Sequence, residues 1–215
     1  MGNEIIFLVH PFFDVQASLE ALRNNNKLPN SDEKIQRLLL CLRKARFLIR
    51  TYFTEVANYL ENNPRSVILA IKPNYLPFPE VTAYIEKLAK ISNRIVIISP
   101  ELINTSNEDN MQLEKSHMRI NGKEEVESIL EIGKTVLLDR GFDVKTLNSK
   151  TNIYKVAGEW KDLCVNQMRS GIIELFPDIY QLRSSVPEIT EFTFGQLDFY
   201  KSPAIIERGK VINIK

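Results

Sequence analysis

Ile5-Ile6-Phe7-Leu8-Val9, followed at once by His10-Pro11, is an apolar run with no polar interruption. A strand exposed on one face alternates apolar and polar residues; a run apolar at every position reads as a strand covered on both faces, as in a parallel sheet. Similar, largely apolar runs recur three times. Ser66-Val67-Ile68-Leu69-Ala70-Ile71 ends in Lys72-Pro73, Ile95-Val96-Ile97-Ile98 ends in Ser99-Pro100-Glu101, and Ile153-Tyr154-Lys155-Val156-Ala157 ends in Gly158-Glu159. Helix-length segments separate the runs. This β-α alternation favours right-handed crossovers and a single α/β domain over residues 1–215. The expected architecture is a three-layer sandwich with a mainly parallel, Rossmann-like sheet of five or six strands. Ligands of open α/β sheets bind outside the carboxyl ends of the strands, so the polar endings mark where a site should lie.

Composition narrows the function classes. At 215 residues and 44% hydrophobic, the chain is long enough to bury a full core. Lys plus Arg is 28 against 27 for Asp plus Glu, a formal net charge of +1. That balance gives no global electrostatic case for nucleic acid or an anionic membrane, and leaves only a local patch open. No apolar stretch approaches the roughly 18–20 residues that span a bilayer, and the first run is too short and too early for a secretory signal. Two cysteines more than a hundred residues apart do not form a disulfide framework, and no Cys/His spacing suits zinc. The reading is a cytoplasmic protein with reduced thiols and no metal. With 8 glycines and neither glycine-rich phosphate motif, no nucleotide cofactor is implied either.

Between the strands, Asn24–Ser31 is a polar breaker before a long helix running to about Glu61 and stopping short of Pro64. Ser31 or Asp32 can cap it. Ile35, Leu38, Leu42, Ala45, Ile49, Tyr52, Val56 and Tyr59 give it an inward stripe over roughly 45 Å. Leu39, Leu40, Phe47, Leu48 and Phe53 widen that stripe, so a second subunit or the C-terminal segment should cover the surplus; a homodimer through helix 32–61 is the expectation. Pro79–Ile91, Lys123–Arg140 and Asp162–Phe176 read as helices, with Gly141 a left-handed cap after the second. Phe142–Leu147, Ile179–Leu182 and Val211–Ile214 read as further strands. Residues 104–122 form a polar segment holding His117, and the fold of the tail 187–215 is ambiguous.

Cys164 is the leading candidate for chemistry. It follows a strand and a short turn near the start of a helix, where unpaired backbone N–H groups and the dipole favour the reactive thiolate; Lys161 pushes the same way. The competing reading is a small buried hydrophobe between Leu163 and Val165. Cys41, within Leu38-Leu39-Leu40-Cys41-Leu42, reads as core.

Gly158 through Val165 resembles the nucleophile segment of the isochorismatase-like cysteine hydrolases: strand, Gly, five residues, then Cys-Val, with Asp162 two before the Cys. The resemblance implies an enzyme in which a strand-end Asp and a Lys complete a triad with the Cys and act on amides or enol ethers of small molecules. It covers about forty residues. His10 stands where the family's strand-end Asp would be, with Asp14 at a place where a second acidic residue often follows. Lys72, in Lys72-Pro-Asn-Tyr75, resembles the lysine segment but lies further before the Cys than the family places it.

His10 and Asp14 also form a candidate by themselves, because an imidazole beside a carboxylate can act as general base near neutral pH; backbone capping is the alternative. Glu101 and Glu159 at strand ends suit a cation or a helix cap. Asp143-Val144-Lys145, after a helix carrying Glu127 and Glu131, is similar to the core of metal-dependent nucleases, although an aspartate on an adjoining strand is missing. Arg43, Arg46 and Arg50 lie on one side of the long helix, either to grip phosphates or as a solvated face. The leading expectation is a small-molecule hydrolase using Cys164, His10, Asp14 and Lys72. The alternatives are a non-catalytic α/β module that binds an effector or a protein and, more remotely, a metal-dependent nuclease.

Overall fold

The computed structural model describes residues 3–12, 16, 31–72, 79–99, 122–142, 147, 152–158, 165–177, 189–191, 206–207 and 210–211. Its centre is β1 (Glu4–Val9), which pairs in parallel with β2 (Ser66–Ile71) on one side and β4 (Ile153–Gly158) on the other. Beyond them lie β3 (Ile95–Ile98) against β2 and β5 (Ile189–Glu191) against β4. The five-stranded sheet has the order β3-β2-β1-β4-β5, and every pair in it is parallel. A separate antiparallel pair joins β6 (Ile206–Glu207) to β7 (Lys210–Val211).

Helices cover both faces. α1 (Ser31–Asn62) joins β1 to β2, and α2 (Pro79–Ala89) joins β2 to β3. Both pack on one face, where Ile6, Leu8, Ile68, Ala70 and Ile95 meet Ile49, Val56 and Leu60 of α1 and Val81, Ile85 and Leu88 of α2. α3 (Lys123–Asp139) and α4 (Asn166–Leu175) pack on the other, where Ile5, Phe7, Val9, Leu69 and Val156 meet Val126, Leu130, Met168 and Ile172. Successive strand residues thus enter opposite cores, which is why the runs are apolar at nearly every position, Lys155 of β4 excepted. At about 1.5–3 kcal/mol for each fully buried large apolar side chain, the strands contribute a large share of the burial energy. This is the expected three-layer α/β sandwich.

Local boundaries follow the sequence closely. α1 begins at Ser31, which puts Ser31 and Asp32 in its first turn, and Ile49, Tyr52 and Val56 of its inward stripe are buried. No residue of its last turn is basic, and Arg94 replaces that charge from outside the helix. Its Nη1 donates to the carbonyls of Asn63 (2.7 Å) and Ser66 (3.0 Å), and its Nη2 to that of Leu60, so the α1 terminus and the β2 start share one cation. Arg140, just past α3, donates to the carbonyls of Asn93 (2.9 Å) and Ile95 (2.8 Å) beside β3. Gly141 takes φ 80°, the left-handed cap its position implies.

Other expectations are revised. The strand beside β4 is Ile189–Glu191, in the ambiguous tail; residues 179–182 lie outside the described residues. Phe142 and Leu147, the ends of the expected strand, are not in a strand, and 143–146 are outside the described residues. Leu147 is buried in a bend whose carbonyl accepts from Asn152 Nδ2 (2.7 Å) and the Tyr154 hydroxyl (3.1 Å). In the tail, Lys210–Val211 is a strand, and 212–214 of the expected strand Val211–Ile214 lie outside the described residues. Of the surplus apolar residues on α1, Phe53 is buried within this chain against Phe12 and Tyr52, while Leu39 is 44% exposed. The side chains of Cys41, Leu40, Phe47 and Leu48 lie outside the described ones. No helix among the described residues is long and apolar enough to cross a membrane.

Where α3 and α4 meet, Gly171 allows their backbones to touch: a Cβ there would stand 2.8 Å from the Gly122 carbonyl oxygen and 2.7 Å from Val126 Cγ2. The backbone oxygen cannot step aside, so Gly171→Ala should destabilise the fold by about 1–3 kcal/mol, read as a lower urea midpoint with unchanged slope.

Candidate functional site

The strand order reverses at β1, the place where open α/β sheets form their ligand crevices. From β1 the chain steps outward to β2 and β3 with its helices on one face, then returns to β4 and β5 with helices on the other. The helices that follow β1 and β4 therefore lie on opposite faces, and a ligand crevice of an open α/β sheet belongs outside the carboxyl ends of two such neighbours. Val9 and Gly158 are in register there. A Cβ at Gly158 would stand 2.9 Å from the Val9 carbonyl oxygen and 2.8 Å from Val165 Cγ2, so glycine lets β1, β4 and the residue before α4 close on one another.

His10 occupies that end of β1. Its N–H donates to the Ile71 carbonyl (3.0 Å), while the Lys72 N–H donates to the Ile98 carbonyl (2.9 Å). His10, Lys72 and Ser99 consequently follow the last paired residues of three adjacent strands, which in a sheet are spaced about 4.8 Å apart. His10 is 3% exposed; Lys72 and Ser99 are half-buried.

The backbone turns sharply here. His10 (φ 50°) and Phe12 (φ 67°) are the only non-glycine residues with positive φ among the described residues, and they flank Pro11. For residues with a Cβ, and above all a bulky aromatic, this conformation costs about 1–2 kcal/mol each. Packing offsets it: Phe12 is fully buried, with ring centroids 5.6 Å from Tyr52, 5.9 Å from Phe53 and 5.8 Å from Tyr84. The Gln16 N–H donates to the Phe12 carbonyl (3.2 Å), closing the turn, and the Gln16 side chain is buried. The anchored ring fixes His10 at the strand end.

Of the four residues expected to form the site, the sheet brings His10 and Lys72 to adjacent strand ends. Cys164 and Asp14 lie outside the described residues, as do Glu101, His117, Asp143, Lys145, Glu159, Lys161 and Asp162. Among the described residues no group of three or more His, Cys, Asp or Glu gathers in a way that could hold a metal ion. Arg43, Arg46 and Arg50 are exposed on α1. Phe12 was the structural residue that sequence reading passed over; a pair of phenylalanines straight after His10-Pro11 was its signal.

The densest polar cluster lies at the opposite, amino end of the sheet. Lys155 Nζ is 2.6 Å from Glu4 Oε2 and donates to the Tyr59 hydroxyl (2.7 Å). The Tyr59 hydroxyl in turn donates to Glu4 Oε1, and the Ser66 hydroxyl donates to the same oxygen (2.7 Å). Lys155 Nζ also sits 5.3 Å from the Tyr59 ring centroid. Two strands of the crevice, their neighbour β2 and helix α1 are locked here by one carboxylate. Its signal in the sequence was Lys155 itself, a charge inside an otherwise apolar strand, which must find a counter-ion. Burial raises the Glu4 carboxyl, but hydrogen bonds from Lys155, Tyr59 and Ser66 and the lysine charge together outweigh it and hold the group below its usual value. Burial lowers Lys155, and its bonds to Glu4 and Tyr59 with their charges more than reverse this. Burial raises Tyr59, and Glu4 raises it further, so it stays a neutral donor.

Comparison of the chain with protein-family models, with curated proteins and with solved structures finds no match.

The lock makes stability depend on pH at both extremes. A carboxyl depressed in the folded state stabilises it above the unfolded value, about 4.3, and that contribution fades as pH falls. An ammonium raised in the folded state stabilises it below about 10.4 and is lost at higher pH. Glu4→Gln should cost about 2–3 kcal/mol at pH 7, because it removes a charge-assisted acceptor and leaves Lys155 half-buried without it. The same variant should flatten the fall in urea midpoint between pH 5 and about pH 3 that the depressed Glu4 carboxyl predicts for the parent chain.

Proposed function

We propose that this chain hydrolyses a small molecule in the crevice outside β1 and β4, with Cys164 as nucleophile, His10 as its base and Lys72 as the cation facing developing negative charge. The observation that carries the reading is the position of His10. This imidazole stands at the point where the strand order reverses, held there by an unfavourable backbone conformation that Phe12 anchors. Backbone held in a sparsely populated region by its surroundings is a common mark of functional sites. In the sequence Cys164 lies six residues after Gly158, the end of β4, and immediately precedes Val165, whose side chain packs on Gly158. Asp14 is the second acid–base candidate, four residues beyond His10.

In this reading the imidazole takes the thiol proton and the thiolate sulfur attacks the substrate carbonyl, while the Lys72 ammonium offsets charge on the carbonyl oxygen. The tetrahedral species collapses to a thioester as the leaving group departs with the proton from the imidazolium. Water, deprotonated by the same imidazole, then attacks the thioester and releases the acid and the free thiol. A small-molecule amide as substrate follows from the resemblance to isochorismatase-like hydrolases. Thiol chemistry of this kind suits the reducing cytoplasm, where Cys41 and Cys164 stay unpaired.

The burial of His10, 3% exposed, favours a second reading: a non-catalytic module in which the imidazole shapes a pocket for an effector. Alkylation separates the two. The rate of iodoacetamide modification at Cys164, followed by peptide mass spectrometry from pH 5 to 10, should show a midpoint at or below about 7 in the parent chain, against about 8.5 for an ordinary thiol. His10→Gln should move it up by about one unit or more. Across a panel of small amides, Cys164→Ser and His10→Gln should each lower turnover by about a hundredfold or more. A midpoint near 8.5 that His10→Gln does not move would overturn the hydrolase.

A further inference from the structure

The middle of α1 carries charge of one sign only. From Lys34 to Thr54 there are six basic residues, Lys34, Arg37, Arg43, Lys44, Arg46 and Arg50, and no Asp or Glu, in a chain whose net charge is +1. At 1.5 Å per residue this cationic segment is about 30 Å long. Arg43, Arg46 and Arg50 are exposed, and so are Gln36, Leu39 and Thr54. At 100° per residue these six positions fall within an arc of about 80°, away from the buried Tyr52 and Val56. Asp32 continues the line at its amino end, but about 16 Å before Arg43, twice the screening length of about 8 Å in physiological salt. Glu55 lies about 140° round the helix from Arg50. On the neighbouring α2, Lys87 Nζ sits 5.5 Å from the Phe53 ring centroid, adding a cation beside α1.

We infer that this exposed face of α1 is a docking surface for the phosphate backbone of double-stranded nucleic acid. Charge complementarity selects a polyanion, since a straight row of guanidiniums, in a helix stretch without Asp or Glu, matches a row of phosphates and each can bind one bidentately. A lipid surface would want apolar side chains beside the arginines, and Leu39 is the one large apolar residue on this line among those described. A single strand would want aromatic platforms for its bases, and the described line carries none. Contacts of this kind are made to phosphate, so binding is indifferent to base sequence and steeply dependent on salt. The surface is independent of the crevice outside β1 and β4 and does not rest on the hydrolase reading.

The experiment is fluorescence anisotropy with the full chain and labelled 20-base-pair DNA and RNA duplexes between 20 and 200 mM NaCl. Three phosphate contacts predict a slope of log K against log salt of about −2.7 on DNA. Arg43→Glu/Arg46→Glu/Arg50→Glu should weaken binding by about a hundredfold or more at 50 mM salt while circular dichroism and melting temperature stay unchanged. If that variant does not fold, Arg46→Gln serves instead and should reduce the slope by about 1. Tighter binding to one duplex identifies which nucleic acid docks. Absence of binding to either duplex at 20 mM salt overturns the inference. So does affinity that the arginine substitutions leave unchanged, or arginine-dependent capture by phosphatidylserine vesicles with none by the duplexes.

Discussion

β1 has no free edge and no free face. Its neighbours β2 and β4 take its backbone groups on both sides, and two separate helical cores cover it above and below. A strand so enclosed can carry polar groups only at its ends, because an unpaired polar side chain in its middle would be desolvated without compensation. Glu4 at one end and His10 at the other are the result. All the chemistry available to β1 is thereby pushed to two places about 20 Å apart at strand rise, and the fold treats these places differently.

At the amino end every group of the polar cluster answers another. Glu4 receives Lys155, Tyr59 and Ser66, and Arg94 gathers carbonyls from the end of α1 and the start of β2. A network satisfied in this way adds rigidity and leaves no spare capacity for a ligand. At the carboxyl end the sequence spends energy in the opposite manner. Backbone strain at His10 and Phe12 is held by aromatic packing, and three strand ends carry His, Lys and Ser side by side. The satisfied polar network lies at one end of the sheet, and the strained backbone at the other.

The strands β1 to β4 and the helices α1 to α3 were readable to within a residue or two because each advertises a long, regular period of apolar residues. The three-residue β5 was not, since three residues carry no period, and its pairing with β4 depends on a neighbour distant in sequence. For the same reason the Glu4–Tyr59–Lys155 lock escaped sequence reading: its members lie 55 and 96 residues apart, and only the odd lysine in a buried run hinted at it. At the candidate site, the apolar runs put His10 and Lys72 at strand ends, and the sheet sets these two ends on adjacent strands. Their local backbone was not legible, because two left-handed residues flanking a proline follow from tertiary packing of Phe12 and not from local preference.

Arg140 has an effect beyond the turn it follows. Among the described strands β3 forms one border of the sheet, and the two carbonyls held by this guanidinium belong to Asn93 and Ile95, next to and within that border. A border strand with free carbonyls is a template on which another chain can add a strand, the first step toward ordered aggregates. Here the template is short, four residues, and one of its acceptors is already occupied by a cation too bulky for a strand to displace without cost. One carbonyl that could begin such pairing is thus held by an arginine at the end of a helix.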